Sequence, residues 1–139
     1  MTSKPKLPPG QLADFLSGSA REVSRAELAV EREAFGTNAG ITSYTTPEQA
    51  GALAEALGLG PGVSLLDVGA GTGWPGVYLA ERTGCDVFLT DVPIDAIRTA
   101  AARAIRQGVF DRCSFSVGSG THLPFRARSF DAVVHSDVL

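Results

Sequence analysis

The chain has 139 residues, 44% of them apolar and 19% charged, with 12 basic and 15 acidic side chains and a net charge of −3. That balance describes one globular domain, and excludes a disordered tail or a collagen-like repeat. A pI near 5.3 with scattered Lys and Arg excludes a broad nucleic-acid footprint, and no apolar run approaches the ~18 residues that span a bilayer.

Met1 to Gly10 holds two Lys, three Pro and no apolar stretch. It reads as a tail, and as neither signal peptide nor anchor. Residues 19–35 read as an amphipathic helix with Val23, Ala26, Val30 and Ala34 on its packing face, stopped by Gly36. A polar stretch, Thr37 to Thr45, follows. Thr46-Pro47-Glu48-Gln49 then supplies an N-cap, a proline suited to the first turn and a capping box. The helix it opens runs to about Leu57, and Leu59 to Gly62 is a turn. Residues 1–60 are thus expected to be a tail with lid helices, and 61–139 the main unit.

From Val63 the rhythm changes. Val63 to Val68 is a short apolar run that breaks into glycines, as a buried parallel strand does. A helix over about Pro75–Thr83, a strand over Cys85–Thr90 and a helix over Pro93–Gln107 follow. That last helix is expected to bury Ile94, Ile97, Ala101 and Ile105. Strands over Cys113–Val117 and Phe130–His135 complete the series. Strands alternating with helices predict an α/β fold with a doubly wound parallel sheet. Cys85 and Cys113 lie 28 positions apart with no CxxC pair. They are expected as reduced core thiols of a cytoplasmic protein, not as a disulfide or a metal site.

Asp67-Val68-Gly69-Ala70-Gly71-Thr72-Gly73 sits where a strand gives way to a helix. Glycines there let the chain turn sharply and let a ligand lie against bare main chain, with helix amides facing an anionic group. Asp91 closes the next strand, 18 residues after Gly73. A carboxylate at that place can accept both hydrogen bonds of a ribose diol. Together these features indicate an adenosine-bearing ligand. Gly71-x-Gly73-x-x-Gly76 also matches a dinucleotide fingerprint, though it starts late after the strand, so an NAD(P)-dependent oxidoreductase is an alternative. A non-catalytic cofactor-binding module is another.

The form acid-x-Gly-x-Gly-x-Gly, here Asp67 to Gly73, resembles the first motif of the class I S-adenosylmethionine-dependent methyltransferases. Gly118 to Phe125, followed by Ser129 to Val134, resembles the family's third and fourth strand segments, with a Leu-Pro-Phe element leading to a Phe-Asp strand. The resemblance implies a Rossmann-like fold and S-adenosyl-L-methionine as cofactor, S-adenosyl-L-homocysteine as product and a small-molecule methyl acceptor. It assigns the methionine end to Asp67, facing the ammonium directly or through water, and to Tyr44 in a lid. The loop contacts fall to Gly69, Ala70, Gly71, Thr72 and Gly73, and the ribose to Asp91 and its neighbour Val92. Ser119 and Gly120 take the adenine edge, where the family carries Asp at the position of Ser119. His135 is placed where donor and acceptor would meet. His135 and Asp137 are weak candidates for catalysis or acceptor contact, His122 a weaker one, and the catalytic group stays open. No Asn/Asp-Pro-Pro-Tyr element follows the fourth strand, which argues against methylation of nucleic-acid amino groups.

The family's sheet has seven strands, whereas this chain stops at Leu139 just after the fourth. The expected spatial order is third, second, first, fourth. Val133 and Val134, followed by Val138 and Leu139, would then form an uncovered apolar edge, a feature natural proteins normally blunt. The chain is therefore expected to be a fragment of a longer protein or to be completed by another chain. Self-association through that edge is a further expectation, as is cofactor binding better than turnover.

Overall fold

The computed structural model describes residues 24–36, 41 and 43–136. Helix α1 spans Arg25–Phe35 and α2 spans Pro47–Ala56. Strand β1 (Ser64–Val68), helix α3 (Gly76–Thr83), strand β2 (Asp86–Asp91) and helix α4 (Ile94–Arg106) follow. A single 3-10 turn, Phe110–Arg112, leads into β3 (Cys113–Val117), and a long loop leads into β4 (Ala132–His135). The tail, residues 19–23 of the first expected helix, and Asp137, Val138 and Leu139 lie outside the described residues.

Both N-terminal helices start where a side-chain oxygen satisfies an amide that has no partner in the helix. Ser24 accepts from the Glu27 amide (3.1 Å) while Glu27 accepts from the Ser24 amide (2.9 Å). Thr46 and Gln49 repeat the arrangement at α2. Gly36 (φ 70°) ends α1 in the left-handed region, as its sequence position predicts.

The sheet is parallel throughout, in the order β3-β2-β1-β4, as expected from the sequence. Register pairs Leu65 with Val87 and Ala132, and Val87 with Cys113. These residues share one face of the pleat. That face forms the core together with Ala50 and Ala54 of α2, Val77, Leu79 and Ala80 of α3, and Ala100 and Ala104 of α4. The opposite face carries Leu66, Phe88 and Val133. Phe125 and Phe130 of the long loop pack edge-on against Phe88 there, with ring centroids 4.8 and 6.1 Å away. Asp131 sets the start of β4 beside β1, because its carboxylate accepts from the Ser64 amide (2.8 Å) and its own amide donates to the Ser64 carbonyl (3.0 Å). Cys85 and Cys113 are buried free thiols, and burial pushes the Cys85 thiol pKa up.

Three packing expectations are corrected. Val30 of α1 is 65% exposed and Ala26 and Ala34 are also exposed, whereas Glu27, Leu28 and Glu31 turn partly inward. Glu31 accepts from the Ile41 amide (2.7 Å), which ties that side of the helix to the chain that follows it. In α4, Ile94 and Ile105 lie on the surface, and the buried stripe is Ile97, Ala100, Ala101 and Ala104. Small residues there let the helix approach the sheet closely. On β4, Val133 is 55% exposed but Val134 is buried, since adjacent strand residues face opposite ways.

Candidate functional site

The strand order reverses between β1 and β4, and ligands of open parallel sheets bind outside the carboxyl ends at such a point. The loop after β1 lies there. Its amides at Gly69 and Ala70 both donate to the carbonyl of Thr90 at the end of β2 (2.9 and 3.1 Å). Gly69, Gly71 and Gly73 all have positive φ. Two of them are glycine for different reasons. A Cβ on Gly73 would lie 2.9 Å from Val77 Cγ2 and 3.3 Å from Ala100 Cβ, so this residue is glycine to rest on α4. A Cβ on Gly71 would meet nothing within 4 Å, so this residue takes its left-handed turn (φ 54°) beside open space.

Asp91 ends β2 at the edge of that space and is half-buried. Its Oδ2 accepts from the Gly71 amide (2.7 Å) and its Oδ1 from the Val92 amide (2.7 Å). A carboxylate has about four lone-pair sites, so each oxygen keeps capacity for a hydroxyl of a diol. The side chain of Val92 is exposed. The Gly118 amide donates to the Asp91 carbonyl (2.9 Å), which brings the Ser119–Gly120 turn to the same end of the sheet. The Ser119 hydroxyl is 2.8 Å from that of Thr121 and accepts from the Thr121 amide (3.2 Å). His135 ends β4 opposite Val68 and is exposed, while His122 lies on the surface beside Thr121.

Asp67 is placed differently from a residue that touches ligand. It has no exposed surface. Its Oδ2 accepts from the Gly76 amide (3.0 Å) at the start of α3, and its Oδ1 has no hydrogen-bond partner. Direct contact with an ammonium has no path in this arrangement. Burial, with the Asp91 charge adding to it and the Gly76 bond opposing it, pushes the carboxyl pKa up from 3.8 to about 8. Between those two pH values the folded chain holds a proton that the unfolded chain has lost. Raising the pH through that window therefore draws the equilibrium toward the unfolded state, by up to about 1.4 kcal/mol per pH unit. Thermal melts of the ligand-free chain should show Tm falling from pH 5 to pH 8, and Asp67→Asn should flatten the fall. An equal slope in both proteins would contradict the assignment.

Tyr44 is 93% exposed, and its neighbours face inward instead. The Thr45 hydroxyl lies 2.6 Å from that of Ser136, Ser43 lies 3.1 Å from the same hydroxyl, and Trp74 Nε1 donates to the Thr45 carbonyl (2.9 Å). The segment is thereby tied across the ends of β4 and the glycine loop. Ser43, Thr45, Ser136 and Gly76 meet at this end of the sheet without a local sequence pattern that assigns them a role there. Gly76 alone carried a signal, as the last glycine of the alternative fingerprint.

Among the described residues no helix is long and apolar enough to cross a membrane. A family model described as a methyltransferase domain matches residues 65–139. The chain is 41% identical over 87 residues to the erythromycin 3''-O-methyltransferase of Saccharopolyspora erythraea, covering 62% of this chain and 28% of that protein. It is 37% identical over 81 residues to the methyltransferase GfsG of Streptomyces halstedii, covering 58% and 29%. It spans less than a third of the length of these relatives. A methyltransferase of Geobacter sulfurreducens, solved with S-adenosyl-L-homocysteine, is similar with a TM-score of 0.52 and 30% identity over 70% of this chain and 37% of that one. The dinucleotide alternative finds no support among these relatives. Motif, strand order and family match converge: the chain belongs to the methyltransferase-domain family, with the class I S-adenosylmethionine-dependent fold.

Proposed function

We propose that this chain is the cofactor-binding part of a methyltransferase that uses S-adenosyl-L-methionine and methylates a small-molecule acceptor. The observation that carries the reading is the half-buried Asp91 carboxylate beside the open space at Gly71, with lone pairs left for a ribose diol. The name of one relative, an erythromycin 3''-O-methyltransferase, supports a small-molecule acceptor.

In this reading the main chain from Gly69 to Gly73, including Ala70 and Thr72, cradles the nucleoside and the methionine end. Asp91 accepts from the sugar, and Val92 lies beside the base. Ser119 and Gly120 meet the adenine edge through main chain more than through the Ser119 hydroxyl, which is engaged with Thr121. The bound cofactor supplies an activated methyl on a sulfonium, and the chain's part is to align it. Residues 43–46, held by Trp74 and Ser136, act as a roof over the methionine end, with Tyr44 projecting from it. His135 faces the acceptor side.

Thermal shift tests this. S-adenosyl-L-homocysteine and S-adenosyl-L-methionine should each raise Tm in a concentration-dependent way, and NAD should not. No shift with either nucleoside, or a selective shift with NAD, would overturn the reading.

A further inference from the structure

Among the described residues, four polar or charged side chains are buried: Asp67, Thr90, Thr99 and Arg103. Thr90 and Asp67 belong to the strand ends under the glycine loop, and the Thr99 hydroxyl bonds its own helix at the Asp95 carbonyl. Arg103 is the one cation of the four. It sits on α4 with 4% of its surface exposed. A buried cation is costly unless its donors are used. Burial and the neighbouring Arg106 both work against its charge, and Glu31 of α1 works for it.

Its Nε donates to the carbonyl of Thr72 (3.2 Å). That carbonyl and the Gly73 amide are the two ends of one peptide unit, and the Gly73 amide donates to the Ala70 carbonyl (2.9 Å). The unit is flanked by Thr72 on its carbonyl side and by Gly73 (φ 107°) on its amide side. The glycine on its amide side gives such a peptide wider freedom to rotate. With Arg103 on one end and Ala70 on the other, its orientation is fixed. Ala100, one turn earlier on the same face of α4, backs Gly73 at the same place.

We propose that Arg103 is a positioning residue for the cofactor, fixing the Thr72–Gly73 peptide so that the glycine loop keeps the shape that receives the nucleoside. This rests on the cofactor site proposed above. The arginine acts through the loop and makes no contact with the reacting atoms.

The test compares the wild-type chain with Arg103→Met, which keeps the apolar stem, and with Arg103→Lys. S-adenosyl-L-homocysteine affinity is measured calorimetrically below the Tm of each protein. Loss of a charge-assisted bond that shapes the site should weaken binding about tenfold or more in Arg103→Met. Arg103→Lys should recover part of it, since lysine keeps the charge but not the planar fork. A merely structural arginine would lower Tm and leave the affinity of the folded protein within twofold, which would overturn the proposal. If the variants do not fold, the Nε–H signal of Arg103 in the wild-type chain decides. Protection from exchange and a shift on titration are expected, and an unprotected, unmoved signal would overturn the proposal. Failure of the wild-type chain to bind the nucleoside would refute the cofactor site and this proposal with it, whereas tight binding by both wild type and Arg103→Met refutes the arginine's role alone.

Discussion

Replacing Gly76 with alanine should be among the most damaging single changes in this chain. The added Cβ would lie 2.6 Å from Asp67 Oδ2 and 3.1 Å from Leu89 Cδ2. Asp67 has no exposed surface into which to retreat, and moving it breaks its bond to the Gly76 amide. Overpacking a filled core costs about 1–3 kcal/mol, and a buried acceptor left without its donor costs about 1–3 kcal/mol more. For a chain of this size a drop in Tm of about 10 °C or more is expected in thermal melts. The pair Gly76→Ala with Asp67→Ala supplies a control. Shortening the aspartate removes the 2.6 Å contact, the tightest of them, so the double variant should be more stable than Gly76→Ala alone. A double variant that is no more stable would place the strain elsewhere.

Asp91→Ala should all but abolish cofactor binding. The substitution removes the acceptor proposed for the ribose diol, and with it the acceptor for the Gly71 and Val92 amides. Charge-assisted bonds of this kind contribute about 1.5–3 kcal/mol each. Losing the two that face the sugar weakens affinity by about 100-fold or more. The effect on folding should be smaller and dependent on pH. Asp91 is one of the charges that raise the Asp67 pKa, so its removal lowers that pKa and recovers some stability at alkaline pH. Asp91→Asn, which keeps one acceptor, should bind with intermediate affinity. Calorimetry with S-adenosyl-L-homocysteine separates the three proteins, and equal affinity in all of them would exclude position 91 from the site.

β1, β2 and β4 were legible as apolar runs ended by a glycine, an aspartate or a polar turn, as buried parallel strands are, whereas β3 alternates Cys, Phe and Val with Ser. Their order could be anticipated once the Asp67–Gly73 motif had suggested the fold. Helix faces were harder to read. In α4 the isoleucines drew attention to Ile94 and Ile105, yet close packing against Gly73 selects alanine, and the buried stripe is marked by size more than by hydrophobicity. In α1, Ala26, Val30 and Ala34 face outward, whereas Glu31 turns partly inward and accepts from the Ile41 amide. The glycines and Asp91 were visible as local spacing. Arg103 was not, because an arginine on a helix reads as a solvated charge until the loop it serves, 31 residues earlier, is folded against it. Ser136 meets Thr45 across 91 residues, a separation that carries no local pattern.

That the glycine loop and Asp91 together hold an S-adenosyl nucleoside is tested most directly by titrating isotopically labelled chain with S-adenosyl-L-homocysteine and following its backbone amides. The largest shifts should fall at Gly69 to Gly73, at Asp91 and Val92, and at Ser119 and Gly120, and they should saturate together at one dissociation constant. Unmoved amides in those three segments, or the same shifts produced by NAD, would contradict it.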